Sequence, residues 1–260
     1  MGNVTGAAAE RLATVLSEAA SEFGAEEGNR FDYVSLRVSP LLGELKAALE
    51  GMASEEAGPP TERSAAISAW LNFHNAALIS SIVDRGVTRT VRDARGFEQA
   101  RSWRLGGLDY SLSDIRHGIL GGNRRPPYRL RRPFSSRDPR VSSVVTPSDA
   151  RLRLALCDGT RSGPALFVYS PDGIDEQLEQ AATVFVNHLG GVAGCPGASW
   201  IALSPLFAWH SRDFGGPRGV RAFLADRVEN EAVAQALRSG SHKIRLMEYD
   251  WGLNKCVISK

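Results

Sequence analysis

The run LALCDGTRSGP, residues 154–164, decides the fold, because it links two apolar stretches through a loop of small and polar residues. The segment from Leu152 to Leu156 is short and mostly apolar, which predicts a buried central strand, and Ala165 to Tyr169 predicts a second strand after the turn. Cys157 ends the first of these strands. A cysteine at the end of an apolar strand is usually a small buried hydrophobic residue. Because this thiol lies next to a glycine-containing loop, it is also a candidate nucleophile.

Five further motifs extend outward from this run. They are FDY at 31–33, AWLNFHNA at 69–76, SLSDIRHGIL at 111–120, WHSRDF at 209–214 and YDWGLN at 249–254. In this order, from about Phe31 to Asn254, they make the chain resemble the domain of unknown function 547 family, DUF547. Members of that family carry a run of the type leucine-asparagine-cysteine-glycine-x-x-serine-cysteine-proline.

Against that run, Asp158 stands at the first cysteine position and Gly163 at the second, while Cys157 is shifted by one residue. In a strand, such a shift turns the side chain to the opposite face. The resemblance implies a distant relation to papain-like or transglutaminase-like thiol hydrolases. Because Asp158 cannot attack as a thiolate, we expect it to form an ion pair with Arg161 instead. The absence of both cysteines argues against catalysis.

Composition limits the classes of function. The 260 residues carry a net charge of +2 with 23% charged residues, which indicates neither disorder nor a nucleic-acid-binding polyelectrolyte. Three cysteines, an odd number, favour reduced thiols and a cytoplasmic location. We expect no transmembrane segment, because no apolar run is long enough to span a bilayer. Gly2 is followed by Gly6 where myristoylation prefers Ser or Thr, so a lipid anchor is not favoured.

The pattern of elements predicts an α+β fold, with one domain that holds a mixed or antiparallel sheet of short strands and surrounding helices. We assign residues 1–28 to an amphipathic helical annex, 29–254 to the family domain and 255–260 to a C-terminal tail. A long apolar helix is expected from Glu62 to Arg85, with Thr61 as its N-cap.

Shorter elements are predicted from turn and cap signals. They are a hairpin at Gly106-Gly107, a short helix with a Ser111/Asp114 capping box, a helix starting at Ser170-Pro171, a hairpin around Cys195-Pro196-Gly197, a helix from Val220 to Val228 extending toward Leu237, and a last strand at Ile244–Leu246.

A thiol hydrolase needs a cysteine, an imidazole that favours its thiolate, and an acidic group that orients the imidazole. His117 is the best base in this sequence, Cys157 the nucleophile candidate, and Asp213 or Asp250 the orienting group. A Ser162 nucleophile with His117 and Asp213 is a formal variant, but no Gly-x-Ser-x-Gly elbow surrounds it. A lone histidine on a short helix is more often structural.

Candidate binding residues fall in three places. Asn72 and Asn75 lie within the apolar helix, where their amides must find hydrogen-bond partners, and we expect them to bind the backbone of neighbouring loops. The loop between the two predicted strands, residues 158–163, is called the focal loop here and contains Asp158, Arg161 and Ser162. Residues 124–140 hold seven arginines and four prolines, a surface loop that is either simply solvated or binds a small anionic ligand or an unknown protein. The arginines singled out there are Arg131, Arg132 and Arg140.

Two hypotheses stay open. In the first, the chain is a binding or scaffolding module that has lost the cysteine pair and acts through a cleft near His117. In the second, it is a thiol-dependent hydrolase or peptidase-like enzyme that uses Cys157 and His117. Neither needs a cofactor, since no phosphate loop, dinucleotide fingerprint or metal-ligand spacing occurs in the sequence.

Overall fold

The computed structural model describes residues 4–25, 29–54, 59–126, 130–194 and 199–258. The expectations for Gly2 and for the hairpin tip at Cys195-Pro196-Gly197 lie outside these residues. The helices are α1 (Val4–Phe23), α2 (Tyr33–Val38), α3 (Pro40–Gly51), α4 (Arg63–Asp84), α5 (Leu152–Ala155), α6 (Ile174–His188), α7 (Pro205–Trp209), α8 (Gly216–Ala225) and α9 (Glu231–Ser239). The strands are β1 (Trp103–Leu105), β2 (Leu108–Tyr110), β3 (Val192–Gly194), β4 (Trp200–Leu203) and β5 (Lys243–Leu246).

Helix α4 is the central helix of the first half of the chain. Every residue from Ile67 to Val83 is buried. Its N-cap is Glu62 rather than the predicted Thr61, because the Glu62 carboxylate accepts hydrogen bonds from the amides of Ser64 and Ala65 at 2.9 and 2.8 Å. By length and composition α4 alone among the described helices suits a membrane span, but 89% of its most apolar window is buried inside the protein.

The N-terminal helix packs onto α3 and α4. Its apolar stripe, with Leu12, Leu16 and Ala19 fully buried, belongs to the same core as α4. At the other end, the Ile258 amide donates to Asp32 at 3.0 Å and the Cys256 amide donates to the Phe31 carbonyl at 3.1 Å. Both ends of the described chain therefore contact the layer of helices that contains α2, α3 and α4.

The sheets are small, as the α+β prediction requires. β1 and β2 form the predicted antiparallel hairpin, and Gly106 and Gly107 turn it with φ of 55° and 76°, a conformation that other residues rarely adopt. β3, β4 and β5 form a mixed sheet in that order, with β3 antiparallel and β5 parallel to β4. The α+β class with a mixed sheet of short strands is confirmed.

The strands predicted at 152–156 and at 165–169 are both wrong. Residues Leu152–Ala155 form the short helix α5, and residues 165–169 are extended without a strand partner among the described residues. A short apolar run does not distinguish a strand from a buried helical turn, and leucine, alanine and arginine all favour helix. Two further boundaries differ: α6 starts at Ile174 after Gly173 rather than at Ser170, and the helix expected from Val220 toward Leu237 is split into α8 and α9, the second capped by Asn230.

The apolar interior consists of two cores that meet at α5 and α6. Leu152 and Leu178 belong to the first core, which contains α1, α3 and α4. Leu154 and Phe185 belong to the second, which contains the mixed sheet, α7, α8 and α9. Helices α5 and α6 therefore connect the two cores. The candidate site lies at the boundary between the parts of the protein that are built on these cores.

Candidate functional site

A cleft of about 780 Å³ opens between the two halves beside His117. One wall comes from residues 91–99 of the first half and the other from α7 and Trp251 of the second half. The lining residues are Val91, Arg92, Ala94, Gly96, Phe97, Glu98, Gln99, Arg116, His117, Asp158, Leu206, Trp209, His210 and Trp251. The loop at 158 thus reaches the cleft through Asp158.

His117 lies on a π-helical turn, Asp114–Ile119. The predicted capping box is present, because Ser111 and Asp114 exchange hydrogen bonds of 3.1 and 3.0 Å between backbone and side chain. The wider turn is visible in the Leu120 amide, which donates to the Ile115 carbonyl five residues before it at 2.9 Å. Single π-helical turns occur frequently at functional sites, and no residue pattern in the sequence signals this one.

The rings of His117 and His210 lie next to each other in the lining of the cleft. Their ring centroids lie 6.2 Å apart, and the rings are nearly parallel at 25°. Burial, and then the positive charges of Arg153 and Arg116, hold the pKa of His210 well below its usual value, so this imidazole is neutral at physiological pH. His210 belongs to the WHSRDF motif, but no role was predicted for this residue from the sequence.

Asp213 binds arginines. Its carboxylate lies 2.7 Å from Arg153 and 3.4 Å from Arg124, and 3.8 Å from the Nδ1 of His210. Arg153 also donates to the Arg116 carbonyl at 2.9 Å, which ties α5 to the turn that carries His117. The structure thus gives Asp213 a place beside the histidines, but its short contacts are ion pairs.

Cys157 is buried, with 2% of its surface exposed, and it is not among the residues that line the cleft. Burial, and then the nearby Asp158, raise the pKa of its thiol to about 12. A nucleophilic cysteine needs the opposite shift. Its amide donates to the Asn75 side chain at 3.2 Å, so the residue serves to anchor the chain to α4.

The loop from Asp158 to Gly163 is held by the YDWGLN segment. Asp158 accepts hydrogen bonds from the Thr160 amide at 2.9 Å and from the Tyr249 hydroxyl. The expected ion pair between Asp158 and Arg161 is wrong, because Arg161 pairs with Asp250 at 3.5 Å. The Asp250 amide also donates to the Ser162 hydroxyl at 2.9 Å, so Ser162 and Asp250 hold the loop in place.

Asn72 and Asn75 bind backbone, as predicted. The Asn72 amide exchanges two hydrogen bonds with Tyr169, at 2.7 and 2.9 Å, and Asn75 donates to the Phe167 carbonyl at 3.2 Å. These contacts hold the extended segment 165–169 against α4 without a sheet.

The arginine-rich loop has two kinds of residue. Arg140, expected on the surface as an anion-binding candidate, is 6% exposed and binds Asp138 and Asp114 at 2.7 and 2.9 Å. Arg132 is exposed and lines a second cleft that His117 also lines, while the exposed Arg131 does not line it.

An aromatic cluster at the cleft mouth escaped the sequence analysis. The rings of Trp209 and Trp251 stack at 5.4 Å and 24°, and Tyr249 lies 4.5 Å from Trp251. The guanidinium of Arg92 lies over the Trp251 ring at 3.1 Å from its centroid. Two motifs contain these aromatics, but only the fold shows that they meet.

Metal ligation has no candidate within the described ranges, since no group of three or more His, Cys, Asp or Glu side chains converges there. Residues 60–186 match the family described as "Protein of unknown function, DUF547". No curated protein and no solved structure matches the chain. The matched region contains α4, the π-helical turn with His117 and the focal loop, and over these residues the chain is similar to the DUF547 family.

Proposed function

We propose that this chain is a binding module that takes a small ligand in the cleft beside His117, and that it has lost the family's cysteine pair. The observation that carries the proposal is a cleft of about 780 Å³ whose lining includes Asp158, whereas Cys157, the thiol beside it in sequence, is buried behind that lining. Clefts of this size with apolar walls and a few convergent polar groups are typical of small-molecule sites.

The walls of the cleft favour a ligand with an apolar or aromatic body. Val91 and Phe97 form one side, and Leu206, Trp209 and Trp251 form the other. Aromatic rings contribute large contact areas and stack on planar groups. Arg116, His117 and His210 add polar atoms at the inner end, where they can fix the orientation of the ligand.

The loop geometry supports the loss of the cysteines. A Cβ atom added at Gly163 would fall 1.9 Å from the Asp158 carboxylate and 2.9 Å from the Thr160 hydroxyl. Positions 158 and 163 are therefore adjacent. Thr160 lies between them, and its amide and hydroxyl donate hydrogen bonds to Asp158 at 2.9 and 2.7 Å. A network of this kind rigidifies the loop without a thiol.

Titration calorimetry with 1-naphthol, a neutral planar probe, tests the binding role. We expect binding that the variant Trp209→Ala weakens about fivefold to tenfold, because an aromatic wall and its contact area are lost. Trp200→Ala is the matched control, since Trp200 does not line the cleft. Binding that is indifferent to Trp209→Ala sinks the proposal.

The thiol-hydrolase hypothesis makes a different prediction for the same protein. With its pKa raised to about 12, Cys157 is expected to resist iodoacetamide at pH 7 to 8 until the protein unfolds, while the half-buried Cys256 reacts in the folded state. Peptide mass spectrometry measures both sites in one experiment. Selective labelling of Cys157 in the folded protein, with an apparent pKa below that of a free thiol, would restore the enzyme hypothesis.

A further inference from the structure

A second cleft, of about 790 Å³, adjoins the first at the two histidines. His117, Trp209 and His210 line both clefts, so the two spaces share one wall. The first cleft is mostly apolar. The second is lined by five arginines: Arg124, Arg125, Arg132, Arg153 and Arg212.

The charge of this basic cleft is poorly compensated. Asp213 is the acidic residue in its lining, and its carboxylate already binds Arg153 at 2.7 Å and Arg124 at 3.4 Å. Five arginines against one aspartate give these six side chains a formal charge of +4. A concave surface of a single sign concentrates its potential and attracts ions of the opposite sign.

Three of these arginines have no acidic partner. Arg125, Arg132 and Arg212 are exposed, and within the ranges that the structure describes no carboxylate lies at ion-pairing distance from any of them. The arginines without an acidic partner therefore come together where residues 124–126, 130–132 and 208–213 face one cleft.

We propose that the basic cleft binds the phosphate group of a phosphomonoester whose apolar or aromatic body occupies the first cleft. This rests on the proposed binding function and names its ligand class. Guanidinium groups match phosphate oxygens with paired hydrogen bonds, and a dianion suits three uncompensated arginines better than a single carboxylate does. Because His117, Trp209 and His210 line both clefts, the head and the body of one molecule can contact the same side chains.

Three probes separate the two halves of this ligand: 1-naphthol for the body, inorganic phosphate for the head and 1-naphthyl phosphate for both. In calorimetry at low salt we expect naphthyl phosphate to bind at least about tenfold tighter than naphthol, since hydrogen bonds to charged groups contribute that much. The gain is expected to shrink as salt is raised, because the arginines are exposed.

The variant Arg132→Gln/Arg212→Gln tests the assignment, and both residues are exposed, so folding is not at risk. It should bring naphthyl phosphate to the affinity of naphthol and leave naphthol itself unchanged. Arg131→Gln is the matched control, an exposed arginine of the same loop that does not line the cleft, and it should keep the full gain.

Each alternative outcome has a definite meaning. Equal affinities in the unmodified protein, or a gain that survives Arg132→Gln/Arg212→Gln, overturn the phosphate subsite while naphthol binding preserves the proposed function. If naphthol does not bind but phosphate binds through Arg132 and Arg212, the proposed function fails and the anion subsite stands. If none of the three probes binds, or if a single-stranded oligonucleotide binds more tightly than naphthyl phosphate, the assignment of a phosphomonoester as the ligand is rejected.

Discussion

His74 is the most buried titratable group of α4. It is fully buried, its Nδ1 lies 3.4 Å from the Asn75 side chain, and its Nε2 has no hydrogen-bond partner among the described residues. Burial, and then the charge of Arg116, lower its pKa from 6.5 to about 3. The folded protein therefore keeps this imidazole neutral throughout the pH range in which an exposed histidine takes up a proton.

The consequence is a loss of stability in acid. The unfolded chain binds a proton on His74 as the pH falls through 6.5, whereas the folded chain does not until about 3, so stability decreases with falling pH across that window. One pH unit below 6.5 the cost reaches about 1.4 kcal/mol and then grows by about 1.4 kcal/mol for each further unit. Denaturant unfolding at pH 8 and pH 5.5 measures it.

His74→Leu should reduce this pH dependence, even if its stability at pH 8 changes. His188→Gln is the control, because His188 is exposed. His210, whose pKa is also lowered, contributes with the same sign, so part of the slope should remain in the His74 variant. An unchanged slope would show that His74 is not neutral in the folded state.

Gly163 gives a second prediction at the level of one residue. Gly163→Ala should destabilise the protein by about 1–3 kcal/mol, because the new methyl group overlaps the Asp158 carboxylate. Gly43→Ala is the control, since nothing lies within 4 Å of a Cβ at that helical position, and it should be neutral or stabilising. In the double variant with Asp158→Ser the cost should fall, and additive costs would contradict the contact. Thermal or denaturant unfolding of the set decides.

Among the helices and strands, the long helix, the first hairpin and the Ser111/Asp114 capping box followed from local patterns. Ser111 with Asp114, and the two glycines of the hairpin, act on their immediate neighbours, so their geometry is written in adjacent residues. The segments at 152–156 and 165–169 did not follow, because they are held by distant partners. Local preference cannot express a tertiary contact of that kind.

The Asn72 contact with Tyr169 shows what replaces a sheet there. Asn72→Ala should cost about 2–4 kcal/mol, because it leaves both the amide and the carbonyl of buried Tyr169 without their partner. Asn72→Asp keeps the acceptor for the amide and loses the donor for the carbonyl. It should isolate the carbonyl contact, with the added cost of a buried charge. Denaturant unfolding monitored by circular dichroism measures both variants, and a cost near zero for Asn72→Ala would refute the pairing.

At the level of the whole molecule, the sequence located the region of the site but not its composition. His117, Asp158 and Arg132 were singled out and do line the two clefts. Trp251, Arg92 and His210 were not given a role, because each depends on contact between residues more than thirty positions apart in the chain. Arg140 was expected on the surface, and only the packing shows that it is buried. For Cys157 the sequence favoured a buried role and kept a nucleophile as the alternative, and the structure buries it.

The first cleft is built from both cores: Val91 and Phe97 belong to one, while Leu206 belongs to the other and Trp251 packs against it. Any molecule held there touches both halves at once, and is released when either half opens. By mass action a ligand at a hundred times its dissociation constant adds about 2.7 kcal/mol to the free energy of unfolding. The melting temperature of the protein is therefore itself a detector of its ligand, and mixtures of natural compounds can be screened with it before any reaction is known.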